Sequence, residues 1–242
     1  MDGARRVAEP DTQPPAITGI GNGIALSPAP LARAFEQAGT LVRLVRHQQL
    51  VIAPASDDCS YLVRSGTVAL ETAVPARHIL GFWHDNDLLE TAQTPALPQL
   101  ALRALEVSEL WRLRQKACKP LFTELPDIRA AHQKASAAAL KRMIIANAML
   151  GRLDGETRVI SFLVSMALRL GHVVGNHVTM RMPMSRADIA DHLSINPDTL
   201  SRIVTGLKDA GLIESHGRHG LTVRDWRGLR ARTPLAPALD NI

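Results

Sequence analysis

The chain has 242 residues, 46% apolar and 21% charged, with a formal net charge of +5, a length that supports two modest domains, each with its own core. No uninterrupted apolar run approaches the roughly 18 residues that span a bilayer. The N-terminus has no apolar run after its two arginines, and the two cysteines, Cys59 and Cys118, are far apart. Composition therefore argues against a membrane protein, a secreted chain and a disulfide framework. The expectation is a cytoplasmic protein whose basic excess suits a polyanionic partner without demonstrating one.

Residues 1–23 are rich in Pro, Gly and Ala and show no periodicity, which predicts a flexible N-terminal arm. From residue 24 to 125 the pattern changes. Leu31 to Phe35 reads as a short amphipathic helix, and short apolar pieces then alternate with turn residues. Leu41 to Val45, Gln49 to Ile52, Tyr61 to Val63, Val68 to Thr72, Ile79 to Phe82 and Leu100 to Leu105 are strand candidates at the spacing of a β-barrel or sandwich. Ser65-Gly66-Thr67 is the sharpest turn among them.

Pro126 to about Arg152 reads as one long helix, about 38 Å if some 25 residues each rise 1.5 Å. Ile128, Ala135, Arg142 and Met149 recur every seven residues, and Ala131, Ala138 and Ile145 follow three behind. That is an a/d seam, and it calls for a partner helix, so residues 126–152 are assigned to dimerisation. Arg142 departs from an apolar seam and is expected to pair with a carboxylate or lie at its edge.

Leu153-Asp154-Gly155 breaks this helix, and Asp154 caps the next one. Ile160, Leu163, Val164, Ala167 and Leu170 give it a core face, and Gly171 is expected as its left-handed stop. His177 to Met182 alternate as a strand. Every local signal then agrees over Met184 to Glu214, MSRADIADHLSINPDTLSRIVTGLKDAGLIE. Ser185 with Asp188 three residues later is a capping box opening a helix through Ile189, Ala190 and Leu193. Asn196 is an N-cap and Pro197 the first residue of a second helix. Leu200, Ile203, Val204 and Leu207 face inward, leaving Asp198, Thr199, Ser201, Arg202, Thr205 and Lys208 outside. A strand from Leu212, a turn over 216–220 and a returning strand over 221–223 complete a winged helix-turn-helix across residues 153–226. The basic tail, 227–242, with Arg227, Arg230 and Arg232, is expected to be solvated, with contact to a nucleic-acid backbone as the alternative.

These residues resemble the Crp/Fnr superfamily of bacterial transcription regulators, which carries SR-x-DIA-x-x-L before the turn and E-T-x-S-R at the start of the recognition helix. Here the second motif reads Asp198-Thr199-Leu200-Ser201-Arg202, and the FixK and Fnr branches look nearest. Tyr61 to Leu70, Arg77 to Phe82 and Asp87-Leu-Leu look like the β-roll of the same superfamily, in the same order. The resemblance implies an α+β chain: an N-terminal β-roll of the cyclic-nucleotide-binding, jelly-roll type, a long dimerisation helix and a C-terminal winged helix-turn-helix. It also implies a homodimer that binds a palindrome in double-stranded DNA and works with RNA polymerase, with no membrane contact. Arg202, Ser201 and Asp198 would read bases, Arg202 at a guanine edge and the acidic residue at a cytosine amino group. Asp198 stands where the family usually has Glu and is one methylene shorter. Ser185, Arg186, Thr199, His216, Arg218 and His219 are candidates for phosphate contacts.

No cofactor is expected. Cyclic-nucleotide-binding members hold ribose and phosphate with a Gly-Glu pair and an Arg-Ser/Thr-Ala triplet. This chain has no Gly-Glu there and no arginine between Arg77 and Arg103, with Pro98 about where the phosphate-binding arginine would stand. A buried phosphate without a cation is costly, so cyclic AMP is not expected to bind. Two cysteines are too few for a four-cysteine iron–sulfur cluster. His78 and His84 raise haem as an idea, set against ordinary solvent-facing or hydrogen-bonded histidines. Cys118, between Lys116 and Lys119, is a candidate redox-sensitive thiol, with a buried structural cysteine the favoured alternative. Two other functions stay open. A cupin-like metal enzyme lacks its His-x-His pair here, and a regulator that has lost DNA binding and acts as a partner protein would explain the nearly balanced charge of the helix-turn-helix.

Overall fold

The computed structural model describes residues 30–240 apart from 53–57, 74, 92–96, 98 and 176. The arm expected over 1–23, and the stretch around Pro98 that bears on cyclic nucleotides, lie outside the described residues.

Helix α1 (Pro30–Ala38) leads into strands β1 (Thr40–Leu44), β2 (Gln49–Val51), β3 (Cys59–Ser65), β4 (Val68–Thr72), β5 (His78–Trp83), β6 (Leu88–Glu90), β7 (Ala101–Ala104) and β8 (Ser108–Arg114). They form two antiparallel four-stranded sheets, ordered β1-β8-β3-β6 and β2-β7-β4-β5. This is the β-roll. Its interior is packed by Val63, Val68, Leu70, Leu100, Leu102 and Leu110, all buried. Gly66 turns the chain between β3 and β4 at φ +91°, and a Cβ there would lie 2.7 Å from the Val107 carbonyl oxygen. Only glycine satisfies both conditions. Three strands escape the sequence reading, β6, β8 and a short later one. β8 is the most consequential, because it pairs with both β1 and β3.

Helix α2 (Gln115–Glu124), which contains Pro120, turns the chain into α3 (Pro126–Arg152). The long helix has the expected bounds, but the stripe read as a dimer seam faces its own chain. Ile128, Ala131 and Ala135 pack with Leu31, Phe35, Leu62 and Leu113. Ile145 and Met149 pack into the core of the C-terminal part. Arg142 meets Asp87 of the roll at 3.1 Å, and Ala138 is half-buried. The side turned to solvent carries a second stripe: Ala130, Gln133, Ala137, Leu140, Ile144, Asn147 and Gly151 are all exposed, at spacings of three and four. Leu140 and Ile144 are each 59% exposed.

Asp154 caps α4 (Gly155–Leu170), accepting from the Thr157 backbone N–H. Gly171 follows with φ −77°, so it is not the left-handed stop expected of it. It is glycine for want of room. A Cβ would sit 2.2 Å from the Ala167 carbonyl oxygen and 2.6 Å from Val178 Cγ1. Strands β9 (His172–Val174) and β10 (His177–Arg181) come next, then α5 (Arg186–His192), α6 (Pro197–Asp209), β11 (Ile213–His216) and β12 (Gly220–Val223). The sheet order is β11-β12-β10-β9. The tail is not solvated. It folds as α7 (Trp226–Ala231) and α8 (Ala236–Leu239), burying Trp226, Leu229 and Leu239 against the same core, while Arg230 pairs with Asp240. Apolar side chains on a short helix outweigh the basic composition that suggested a free tail.

Candidate nucleic-acid interface

The two helices of the turn are built from local chemistry. Ser185 Oγ accepts from the Asp188 backbone N–H at 3.1 Å, and Asp188 Oδ2 accepts from the Ser185 N–H at 3.1 Å, so both orphan donors of α5 are satisfied. Leu193 ends the helix and Ser194 makes the turn at φ +52°. Asn196 Oδ1 then accepts from the Asp198 N–H at 2.8 Å, with Pro197 at the first helical position. At the far end Gly211 takes φ +70° and the Leu212 N–H returns to the Leu207 carbonyl at 3.0 Å. That closes α6 in a Schellman-type turn.

Leu200 and Leu207 are fully buried, and Ile203 and Val204 pack against the same core, so α6 cannot rotate about its axis without exposing them. The opposite face is free. Asp198, Thr199, Arg202 and Thr205 are exposed, and Ser201 is half-exposed. The side chains of Arg202 and Asp198 make no ion pair or hydrogen bond with the described residues, so the guanidinium and the carboxylate are available to a ligand. Arg186 and Arg218 are likewise exposed and unpaired among the described residues.

Three other phosphate candidates are engaged within the chain. Ser185 Oγ donates to Asp188 Oδ2 at 2.7 Å. His216 Nε2 lies 3.0 Å from Thr222 Oγ1, and His219 Nδ1 donates to the Met182 carbonyl at 3.0 Å. Of the three wing candidates, Arg218 is the one whose side chain has no partner among the described residues.

Sequence reasoning missed what Asp188 does besides capping. Its other oxygen, Oδ1, accepts from Arg103 Nη2 of β7 at 2.7 Å. Burial pushes the Asp188 carboxyl up, but the Ser185 hydrogen bonds and the Arg103 charge outweigh it, leaving the pKa below the ordinary aspartate value. No signal in the sequence pairs two residues 85 positions apart.

The redox and haem ideas fare differently from the helix-turn-helix. Cys118 is buried, and burial pushes its thiol above the ordinary value, with a Ser60 hydrogen bond opposing. The favoured reading of Cys118 as a buried structural cysteine holds, and the redox-sensitive alternative does not, since the side chain packs with Phe35 and Leu113. His84 is buried, with Nδ1 3.0 Å from Thr67 Oγ1, and burial, then the charges of Arg169 and Arg142, lower its pKa to about 2. It is a neutral core imidazole. Among the described residues no cluster of three or more His, Cys, Asp or Glu is placed to hold a metal.

A capped turn of two helices, with an inward-locked and outward-polar second helix and a β-hairpin wing, defines a winged helix-turn-helix protein carrying a β-roll. Residues 157–232 match the Crp-like helix-turn-helix domain family. The nitrogen fixation regulation protein FixK of Azorhizobium caulinodans is 37% identical over 106 residues, 43% of this chain and 43% of FixK, so the match spans less than half of that relative. The anaerobic regulatory protein of Haemophilus influenzae is 24% identical over 194 residues, 76% of this chain and 72% of that one. FixK2 from Bradyrhizobium japonicum has a similar structure, with a TM-score of 0.69 at 22% identity, covering 81% of this chain and 98% of FixK2. A CooA mutant from Carboxydothermus hydrogenoformans gives a TM-score of 0.70 at 19% identity, covering 82% and 89%. The C-terminal part is thus a Crp-like helix-turn-helix domain, and the chain as a whole is similar to regulators such as FixK and the anaerobic regulatory protein.

Proposed function

We propose that the protein is a sequence-specific DNA-binding transcription regulator that acts as a homodimer on a palindromic operator and answers to no cyclic nucleotide. The carrying observation is the outer face of α6: Arg202 and Asp198 stand exposed and unpaired on a helix whose inner face is locked into the core. An arginine in that position can bond the O6 and N7 of a guanine, and a carboxylate can accept from a cytosine amino group. Ser201 stands between them. Thr199, Arg186 and Arg218 are placed for phosphates. RNA polymerase is the partner through which such a regulator would act. The FixK likeness supports this reading.

The dimer would form on the outward stripe of α3, where Leu140 and Ile144 supply the large apolar side chains and Ala130, Ala137 and Gly151 allow close approach. The described chain then divides into a roll to residue 125, a dimer helix (126–152) and a DNA-binding part from 153 that takes in the packed tail.

The test is selection of bound duplexes from a random pool by the purified, ligand-free protein at near-physiological salt, since the phosphate contribution is salt-dependent. Enrichment of a palindrome with half-sites about one helical turn apart is expected. No enrichment, with the protein folded and dimeric, would refute the reading.

A further inference from the structure

Helix α5, the first helix of the turn, is docked on the roll by polar contacts that the DNA-reading surface does not use. Arg103 on β7 bonds Glu71 on β4 through Nε at 2.8 Å and Asp188 on α5 through Nη2 at 2.7 Å. All three are buried. Beside them, β5 is the edge strand of its sheet. Its Ile79 N–H donates to Asp191 Oδ2 at 2.7 Å, and its Ile79 carbonyl accepts from His192 Nδ1 at 3.1 Å. Two side chains of α5 thus take the place of a neighbouring strand. Arg77 adds a partly exposed contact to Asp188 at 3.2 Å.

The arrangement has two properties that ordinary core packing lacks. First, it resists parting: separation would leave Arg103 with Glu71 and Glu71 with Gln49, but would take Asp188 from both Arg103 and Arg77 and leave it only the Ser185 hydroxyl and N–H. A buried ion pair that loses one partner is strongly destabilised, so the contact holds the spacing between roll and α5. Second, it has direction. A planar guanidinium forked between two carboxylates on separate elements specifies one orientation, which an apolar contact does not. What it orients is the whole turn, because α5 and α6 share one core through Ile189, Leu193, Leu200 and Leu207.

We propose that Arg103 and Asp191 are positioning residues for DNA reading: by fixing α5 against the roll, they set where each α6 stands relative to the dimer helix, and hence the distance between the two reading heads. This rests on the dimeric DNA-binding reading above. It predicts a specific asymmetry. Binding to one half-site uses one head and is indifferent to the docking. Binding to a palindrome needs both heads at once, so its gain over a half-site depends on geometry and is lost when that geometry is not held.

The experiment uses the full chain and two duplexes, the palindrome recovered by selection and the same duplex with one half-site scrambled. Two variants are compared with wild type: Arg103→Met, and Asp191→Ala, which leaves the α5 cap and the core untouched should Arg103→Met fold poorly. Amide exchange at Ile79 reads the docking without DNA. Expected are faster Ile79 exchange in both variants, an affinity for the palindrome about tenfold lower, and half-site affinity within about twofold of wild type. Equal losses on both duplexes would overturn the proposal by showing general damage to the turn. Unchanged palindrome affinity despite faster exchange, or unchanged exchange in both variants, would overturn it too, as would tighter palindrome binding. Failure of the wild-type protein to bind either duplex would instead overturn the DNA-binding reading, with Ile79 exchange still reporting the contact.

Discussion

Mild acid should destabilise this protein chiefly through two neutral histidines. His84 has an ordinary pKa of 6.5, lowered to about 2 by burial and by the nearby guanidinium groups of Arg169 and Arg142. A group whose pKa is depressed on folding leaves the unfolded chain with more bound protons below pH 6.5. Stability is therefore complete above pH 6.5 and declines as pH falls from there toward 2. At pH 5 the deficit from His84 alone is about 2 kcal/mol, from 1.36 kcal/mol per unit over about 1.5 units. His192, also lowered by burial, acts in the same direction. Asp188 and Glu90 are lowered from 3.8 and 4.5, so their contributions are lost only at lower pH. Of the groups lowered on folding, the histidines are the ones that act between pH 6.5 and 5, while Asp85, raised mainly by burial, works in the opposite sense. Urea titrations at pH 7.5 and 5.0 should show the midpoint falling by about 0.7 M, taking a slope of about 3 kcal/mol per M. His84→Asn, whose amide can still meet Thr67 but cannot titrate, should start less stable and lose about 2 kcal/mol less between the two pH values. Midpoints that do not move from pH 7.5 to 5.0, or a variant with the wild-type pH dependence, would refute the placement of a neutral imidazole in the core.

Arg202→Ala should cost about 1 to 3 kcal/mol on the selected site and relax selectivity at one base pair of each half-site, with unchanged folding; a titration at fixed salt against substituted duplexes measures both effects. The double variant Leu140→Glu with Ile144→Glu should sediment as a folded monomer at concentrations where wild type is dimeric, since the acidic groups would face their own symmetry mates across the proposed seam; persistence of the dimer would move the interface elsewhere. Gly171→Ala should destabilise the protein by about 1 to 3 kcal/mol in chemical denaturation, because the new methyl meets the Ala167 backbone and Val178 with nowhere to go. The backbone at Gly171 is one any residue adopts, so an unchanged midpoint would mean the collision is relieved by local shifts.

The helix-turn-helix was legible because its determinants are local. Ser185 with Asp188, Asn196 with Pro197, and Gly211 act within one turn of chain, and each does in the structure what its position implies. The roll was legible only in outline. β8 reads Ser-Glu-Leu-Trp-Arg-Leu-Arg with no clean alternation, and its place inside a sheet depends on β1 and β3 far away in sequence. Gly171 was assigned its role from sequence position, and packing gave it another. The lysines beside Cys118 suggested a reactive thiol, whereas burial, a property of the packed core, is what chiefly raises its pKa, and the groups acting next are Ser60 and Glu90, distant in sequence. Arg103, Glu71 and Asp188 were beyond reach for the same reason: nothing local in β4 or β7 distinguishes an edge-facing charge from one buried under a helix 85 residues on.

Helix α3 shows most plainly where periodicity stops being enough. It carries two heptad stripes of similar apolar content, one through Ile128, Ala135, Ile145 and Met149, the other through Ala137, Leu140 and Ile144, and a repeat of seven cannot say which one faces home. What decides is polar chemistry on the flanks of the first stripe. Ser136 donates to Glu90 at 2.5 Å, His132 lies 3.2 Å from the other oxygen of Glu90, and Arg142 reaches Asp87, which also pairs with Arg169 of α4. Both carboxylates flank or end the short strand β6, so the roll offers two acceptors in register with one side of the helix. Turning the other stripe inward would bury Glu90 and Asp87 against Leu140 and Ile144, leaving charges without partners at a cost that no exchange of alanines could offset. The arginine that looked like a flaw in a dimer seam is thus the residue that marks the face belonging to its own chain, and the face without such a residue is the one the proposed dimer would use.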